Sequence, residues 1–202
     1  TTTEDVAAIV KLCYETSIPV IPRGAGTGLT GAAVALHGGV MIDMSKMNKI
    51  LEYDKENFVV RVEAGVLLND LAEDAQKQGL LYPPDPGEKF ATLGGNVSTN
   101  AGGMRAVKYG CTRDYVRAMT VVLPTGEIVK LGATVSKTST GYSLLNLMIG
   151  SEGTLGIITE LTLKLIPAPK ETISLIIAYE NLEDCIANVP KFFMEHLQTQ
   201  AI

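Results

Sequence analysis

Residues 23–31 read Arg-Gly-Ala-Gly-Thr-Gly-Leu-Thr-Gly, four glycines in nine positions, directly after the apolar run Ser17-Ile-Pro-Val-Ile-Pro22. A strand that opens into such a loop presents several unhindered backbone N–H groups to one point. Glycine also reaches the φ > 0 conformations that let those groups converge. A chain can grip a pyrophosphate in this way without many positive side chains, so a nucleotide cofactor is the first hypothesis.

Gly26-x-Gly28-x-x-Gly31 matches the dinucleotide fingerprint literally, but the surroundings do not. In a Rossmann unit the third glycine lies in a crossover helix, and an acidic residue follows after roughly 20 residues. Here the next apolar strand, Gly39-Val-Met-Ile-Asp-Met44, starts eight residues after Gly31. The piece between, Ala32-Ala-Val-Ala-Leu-His37, gives at most a turn or two, too little to cover a sheet face. The loop also lacks the Gly-Lys-Ser/Thr ending of a nucleoside-triphosphate loop. Taken alone, it is also compatible with a mere glycine-rich turn.

Two further clusters narrow the choice. Residues 82–103 open with Pro83, Pro84 and Pro86, which stiffen an extended segment. Gly94-Gly95 and Gly102-Gly103 follow, with Asn96, Ser98, Thr99 and Asn100 between them. Gly150-Ser-Glu-Gly-Thr-Leu-Gly156 then leads into the apolar strand Ile157-Ile-Thr-Glu-Leu-Thr-Leu-Lys-Leu-Ile166. Three separated glycine-polar loops, each beside a strand, suit a long extended ligand better than a single phosphate.

Pro22-Arg-Gly-Ala-Gly-Thr-Gly-Leu-Thr-Gly31, Gly94-Gly-Asn-Val-Ser-Thr-Asn-Ala-Gly-Gly103, and Lys137 with Gly141-Tyr142 and Gly150-Ser-Glu-Gly-Thr-Leu-Gly-Ile-Ile-Thr159 together resemble the FAD-linked oxidase family. This is the vanillyl-alcohol-oxidase, or PCMH-type, flavin fold. The resemblance is greatest to the branch of glycolate oxidase D subunits, D-lactate dehydrogenases and D-2-hydroxyglutarate dehydrogenases, and it runs in order over about residues 3–166. It implies that the first loop holds the FAD pyrophosphate through the backbone of Gly24, Ala25, Gly26, Thr27 and Gly28, with the Thr27 hydroxyl adding a donor. Many relatives carry in this loop a histidine bonded covalently to the flavin; the matching position is Thr27, which implies non-covalent FAD. Thr92, Gly95, Asn96, Thr99, Gly102 and Gly103 would line the pyrophosphate and isoalloxazine side. Glu152 and the backbone at Gly156, Ile157 and Ile158 would meet the adenosine half, and Asp85 is a further candidate contact.

Other residues have plain structural readings. Gly65 and Gly79 flank the helical run at 66–78 as turn and C-cap, and Gly126 sits in a hairpin turn between apolar runs. Arg105, Lys108 and Arg113 face either a phosphate or solvent. Tyr109 and Tyr142 either stack on a ring or pack. His37 and His196 have no setting that marks them as catalytic. Three cysteines, Cys13, Cys111 and Cys185, are too scattered for a disulfide framework or a metal site, which fits a reducing cytoplasm. A net charge of −5 argues against a nucleic-acid partner. No apolar stretch approaches the roughly 20 residues of a membrane span.

The expected architecture is α+β, a PCMH-type domain of two lobes meeting over the cofactor. A helix begins at Thr2 or Thr3 with Val6, Ile9, Val10 and Cys13 on one face; a second covers 66–78. Strands are expected at about 18–22, 40–44, 50–54, 58–64, 120–123, 127–131 and 157–166. The boundary falls near Pro167 and Pro169, giving a FAD-binding domain over 1–169, shortened at its start, and the beginning of a cap domain over 170–202. There 172–179 reads as a buried strand and 182–197 as a helix that Pro190 should kink or break.

In the family the cap carries the catalytic histidine, often metal ligands, and the arginine that receives the substrate carboxylate. None of those motifs occurs here, so no catalytic residue or metal ligand is assigned. The resemblance implies an enzyme that oxidises a small 2-hydroxy acid to a 2-oxo acid by hydride transfer to FAD. A partner subunit or electron acceptor would complete it, and this fragment would bind FAD without turnover. Two alternatives stay open: a reductase of the UDP-N-acetylenolpyruvylglucosamine type on the same fold, and a non-catalytic flavin- or nucleotide-binding assembly module.

Overall fold

The computed structural model describes residues 2–202. Helix α1 (Thr3–Glu15) starts at a capping box: the Thr2 hydroxyl accepts from the Asp5 N–H at 3.2 Å, and the Asp5 carboxylate accepts from the Thr2 N–H at 2.9 Å. It buries Thr3, Val6, Ala7, Val10 and Cys13, while Ile9, expected on that face, is 41% exposed beside it. Strands β1 (Val20–Arg23) and β2 (Val40–Asp43) pair in parallel, Val20 against Val40 through Arg23 against Asp43. Their connection is the glycine loop, which holds turns and no helix.

Strands β3 (Ile50–Asp54) and β4 (Val59–Glu63) form an antiparallel hairpin. Helix α2 (Leu68–Lys77) buries Leu68, Leu71 and Ala75, and Gly79 follows it at φ +73°, where glycine relieves the left-handed turn. Strand β5 (Leu80–Leu81) leads into the proline-rich segment.

Leu93–Thr99 forms helix α3 where the glycine-polar pattern suggested a loop. Two glycines ordinarily disfavour a helix, but packing decides here. A Cβ on Gly94 would lie 2.7 Å from the Ala64 side chain, so the helix can settle against β4 only without one. Thr92 caps its start, and Asn100, left-handed at φ 50°, ends it.

Helix α4 (Ala106–Tyr109) and a 3₁₀ turn (Thr112–Tyr115) precede the hairpin of β6 (Val116–Val122) and β7 (Ile128–Gly132). Helix α5 (Leu144–Met148), strand β8 (Ile157–Lys164), strand β9 (Ile166–Pro167) and helix α6 (Leu182–Met194) complete the order. The main sheet runs β3-β4-β8-β6-β7, antiparallel throughout, and β5 pairs with β9. The fold is α+β, as the sequence led us to expect. Central β8 is buried on both faces except at Glu160 and Lys164, which explains its near-continuous apolar sequence.

Two apolar cores result. The larger packs α2 and α3 onto the five-stranded sheet; the smaller gathers Val6, Ala7 and Val10 of α1 with Ile42, Met44 and Met47. Val122 and Ile157, paired across β6 and β8, belong to the smaller core and join the two.

The last segment departs from expectation. Residues 172–179 pair with no strand, and Ile176 is fully exposed. Helix α6 passes through Pro190 unbroken, with Asn181 as its N-cap, since a proline removes a single donor from the ladder.

Candidate functional site

The three glycine-polar segments, far apart in sequence, converge on one open cleft. Gly24, Ala25, Gly26, Thr27 and Gly28 form one wall; Thr92, Gly95, Asn96 and Thr99 form a second; Glu152, Gly156, Ile157 and Ile158 form a third. Each wall hangs from a strand or helix end. The first follows β1, the second is α3 with its N-cap Thr92, and the third is the entry to β8.

The backbone of the first wall is free. Among the described residues, no N–H from Gly24 to Gly28 donates to a protein acceptor. Gly26 takes φ +72° with the Arg23 guanidinium against it, and no atom lies within 4 Å of the place a Gly28 Cβ would occupy. Such a run of unpaired amides leaves backbone donors available to an anion.

The start of α3 contributes differently. Its first N–H groups are already spent: Leu93 donates to Val66 O, Gly94 to Ala64 O, and Gly95 to Thr92 Oγ1. The helix end therefore offers little to a phosphate through its amides. What it offers is Asn96, 5% exposed, whose Nδ2 faces no acceptor in the protein. Asn96 lines the cleft, and a ligand acceptor there would satisfy this donor.

Charge plays a small part. Arg23 and Glu152 are the ionisable residues among those lining the cleft, and they are of opposite sign. At the end of β2, hydrogen bonds from Ser45 hold the Asp43 carboxyl below its usual range, with the Arg23 charge adding to the effect. Attraction for an anion must therefore come mainly from backbone dipoles.

Three sequence candidates lie elsewhere. Asp85 pairs with Arg105 at 3.3 Å, and its carbonyl accepts from the Met104 N–H at 3.2 Å. Gly103 lies so close to that carbonyl that any Cβ would overlap it, and Gly102 stands beside it outside the cleft. Gly156 does line the cleft, yet a Cβ there would come within 2.9 Å of Val122 O, so packing against β6 already demands glycine.

The basic residues are also spoken for. The Arg113 guanidinium donates to Asn146 O and Ile149 O at 3.2 and 3.1 Å, fastening the segment after α5. Lys108 sits over the Tyr109 ring, and Tyr142 is fully exposed. Neither His37 nor His196 lines the cleft, and among the described residues no acidic, histidine or cysteine cluster can hold a metal.

Sequence reasoning did not assign Arg23, Thr30 or Ala64, among others, as lining residues. Arg23 and Thr30 bracket the quoted glycine motif and so carried a signal. Ala64 carried none, because its place depends on β4 meeting α3.

Residues 1–132 match a family model described as an FAD binding domain. Over its full length the chain is 82% identical to a D-lactate dehydrogenase of Anaerostipes hadrus, of which it covers 42%. It is 43% identical over 182 residues to the glycolate oxidase subunit GlcD of Bacillus subtilis (strain 168), covering 90% of this chain and 39% of that one. A solved alkyldihydroxyacetonephosphate synthase superimposes with a TM-score of 0.80 at 27% identity, over 96% of this chain and 38% of its own. The chain thus spans about two fifths of the length of the curated relatives it matches.

Proposed function

Because the chain belongs to the FAD binding domain family, we propose that it is the flavin-holding part of a dehydrogenase of the D-lactate or glycolate type, which oxidises a small 2-hydroxy acid to the 2-oxo acid. The observation that carries this reading is that the residues of one cleft include Gly24 to Gly28, whose amides have no protein acceptor, and Asn96, whose Nδ2 has none either. That donor set fits a long ligand with a diphosphate in its middle. The names of the two curated relatives supply the substrate class.

When bound, FAD supplies a hydride acceptor for the substrate α-carbon. The chain's own residues bind and orient it. The amides of Gly24, Ala25, Gly26, Thr27 and Gly28 take the diphosphate oxygens, Asn96 donates to an acceptor beyond them, and Glu152 with Ile157 and Ile158 takes the adenosine half. Thr92 and Gly95 shape the middle of the cleft and Thr99 its far edge. Asp85, Gly102 and Gly103 lie outside the cleft lining, where Gly103 packs on the Asp85 carbonyl. Attachment is non-covalent, since the loop holds Thr27 and no histidine.

Residues 1–169 form the flavin domain, and 170–202 begin a domain that covers the substrate and supplies its base. The three unpaired cysteines accord with a cytoplasmic setting. The test is the visible absorption spectrum of the purified protein, before and after denaturation. Flavin absorption that leaves with the denaturant as free FAD supports the reading. Flavin retained on the denatured chain overturns the non-covalent assignment, and a folded protein that stays colourless with added FAD overturns the cofactor.

A further inference from the structure

The glycine loop is held at its start by Gly24 against Thr92 and by the Arg23 guanidinium, which donates to Ala33 O at 3.4 Å, and its middle is open. Leu29 is fully exposed, and Gly28 touches no other segment near its Cα. Next to them, the Thr30 hydroxyl donates to Glu152 Oε2 at 2.9 Å, a contact between residues 122 positions apart. The two ends of that bond are unequal. Thr30 rides on the loop, whereas Glu152 is fixed: its N–H donates to Ser98 O at 2.9 Å, and its backbone is left-handed at φ 51°. Gly153 beside it, at φ +80°, packs so closely on Pro22 that a Cβ would lie 2.6 Å from the ring. Thr30 and Glu152 both line the cleft, so the bond ties its first wall to its third.

We propose that the Thr30–Glu152 hydrogen bond is a latch that holds the glycine loop across the cleft and limits the rate at which bound FAD leaves. Thr30 is a positioning residue in this scheme. It needs no contact with the cofactor, and it acts by keeping the loop amides aimed at the diphosphate. The inference rests on the flavin reading above. The bond is exposed to water, so its loss moves a rate by a modest factor and does not abolish binding.

The experiment measures FAD release from the holoprotein by the recovery of free-flavin fluorescence on dilution. Thr30→Val, which keeps the shape and removes the donor, is expected to release FAD about fivefold faster, the size set by one exposed charge-assisted hydrogen bond. Thr30→Ser, which keeps the donor, is expected to release at the original rate. In a Glu152→Ala background Thr30→Val should add nothing, because its partner is already gone. Release from Thr30→Val at the original rate, or an equal acceleration in the Glu152→Ala background, overturns the proposal.

A second readout needs no cofactor. Chymotryptic cleavage after Leu29 in the flavin-free protein should be faster in Thr30→Val than in Thr30→Ser, while the melting midpoints agree. Equal cleavage in both overturns the latch even if FAD binds. A protein that never binds FAD overturns the flavin reading instead, and cleavage then still decides whether the loop is tied.

Discussion

A buried amide nitrogen with no protein acceptor, as at Asn96 Nδ2, burdens the flavin-free protein, and a ligand acceptor would relieve it. Replacing Asn96 by Leu is therefore expected to separate binding from stability. The FAD dissociation constant should rise about tenfold, the worth of one hydrogen bond, while the melting midpoint of the flavin-free protein holds or rises. A flavin titration and a thermal melt on the same preparation check both. Loss of stability with unchanged affinity would assign Asn96 to the core instead. A second prediction concerns alkali. Burial pushes the Tyr82 phenol up, and burial first, then Asp114 and Tyr109, raises that of Tyr115. The unfolded chain ionises near its ordinary value of about 10 while the folded one keeps its protons. Stability from these groups is thus full below about pH 10 and falls as pH rises beyond it. Urea midpoints between pH 8 and 11 should decline, and less steeply for Tyr82→Phe. Much at this scale was legible in the sequence, because a glycine motif announces its own backbone. Thr30 meeting Glu152 was not, because nothing local pairs residues so far apart.

Among the elements, the turn from β4 into α2 is a tight junction. A Cβ on Gly65 would strike the carbonyl oxygens of Met44 and Met47, and the Gly65 N–H already donates to Met47 O at 2.7 Å. Backbone cannot swing aside as a side chain can. Gly65→Ala is expected to cost about 2–3 kcal/mol, read as a lowered urea midpoint at unchanged slope. The sequence marked Gly65 as a turn residue but gave no hint of this collision. The hairpin of β6 with β7 was readable at Gly126, where a short turn makes pattern and pairing coincide; the strands β3 and β4 were expected, but their pairing was not read. Helix α3 was not readable, since its glycines favour a loop until Ala64 is brought against Gly94. The converse error lies at 172–179, where an apolar run has strand composition and pairs with no strand.

On the scale of the molecule, residues 170–202 stand apart from the two cores. Helix α6 buries none of its residues, and Ile173, Leu175 and Ile176 before it are exposed. A chain ending at Pro169 is therefore expected to melt within about 2 °C of the 202-residue chain and to keep its flavin affinity. A large drop in either would move the domain boundary beyond residue 169. The α+β class could be inferred from composition and pattern, but the order of the main sheet could not, and that order has a consequence for synthesis. Two hairpins, β3 with β4 and β6 with β7, flank a centre that only β8 can fill. During translation both flanks wait with open inner edges, and an interrupted chain would offer those edges to its neighbours. The same strand brings in Ile157 and Ile158, the last wall of the cleft. Capture of flavin is thus a closing event in the life of the nascent chain, and cofactor supply at that moment bears on how much of the protein escapes aggregation.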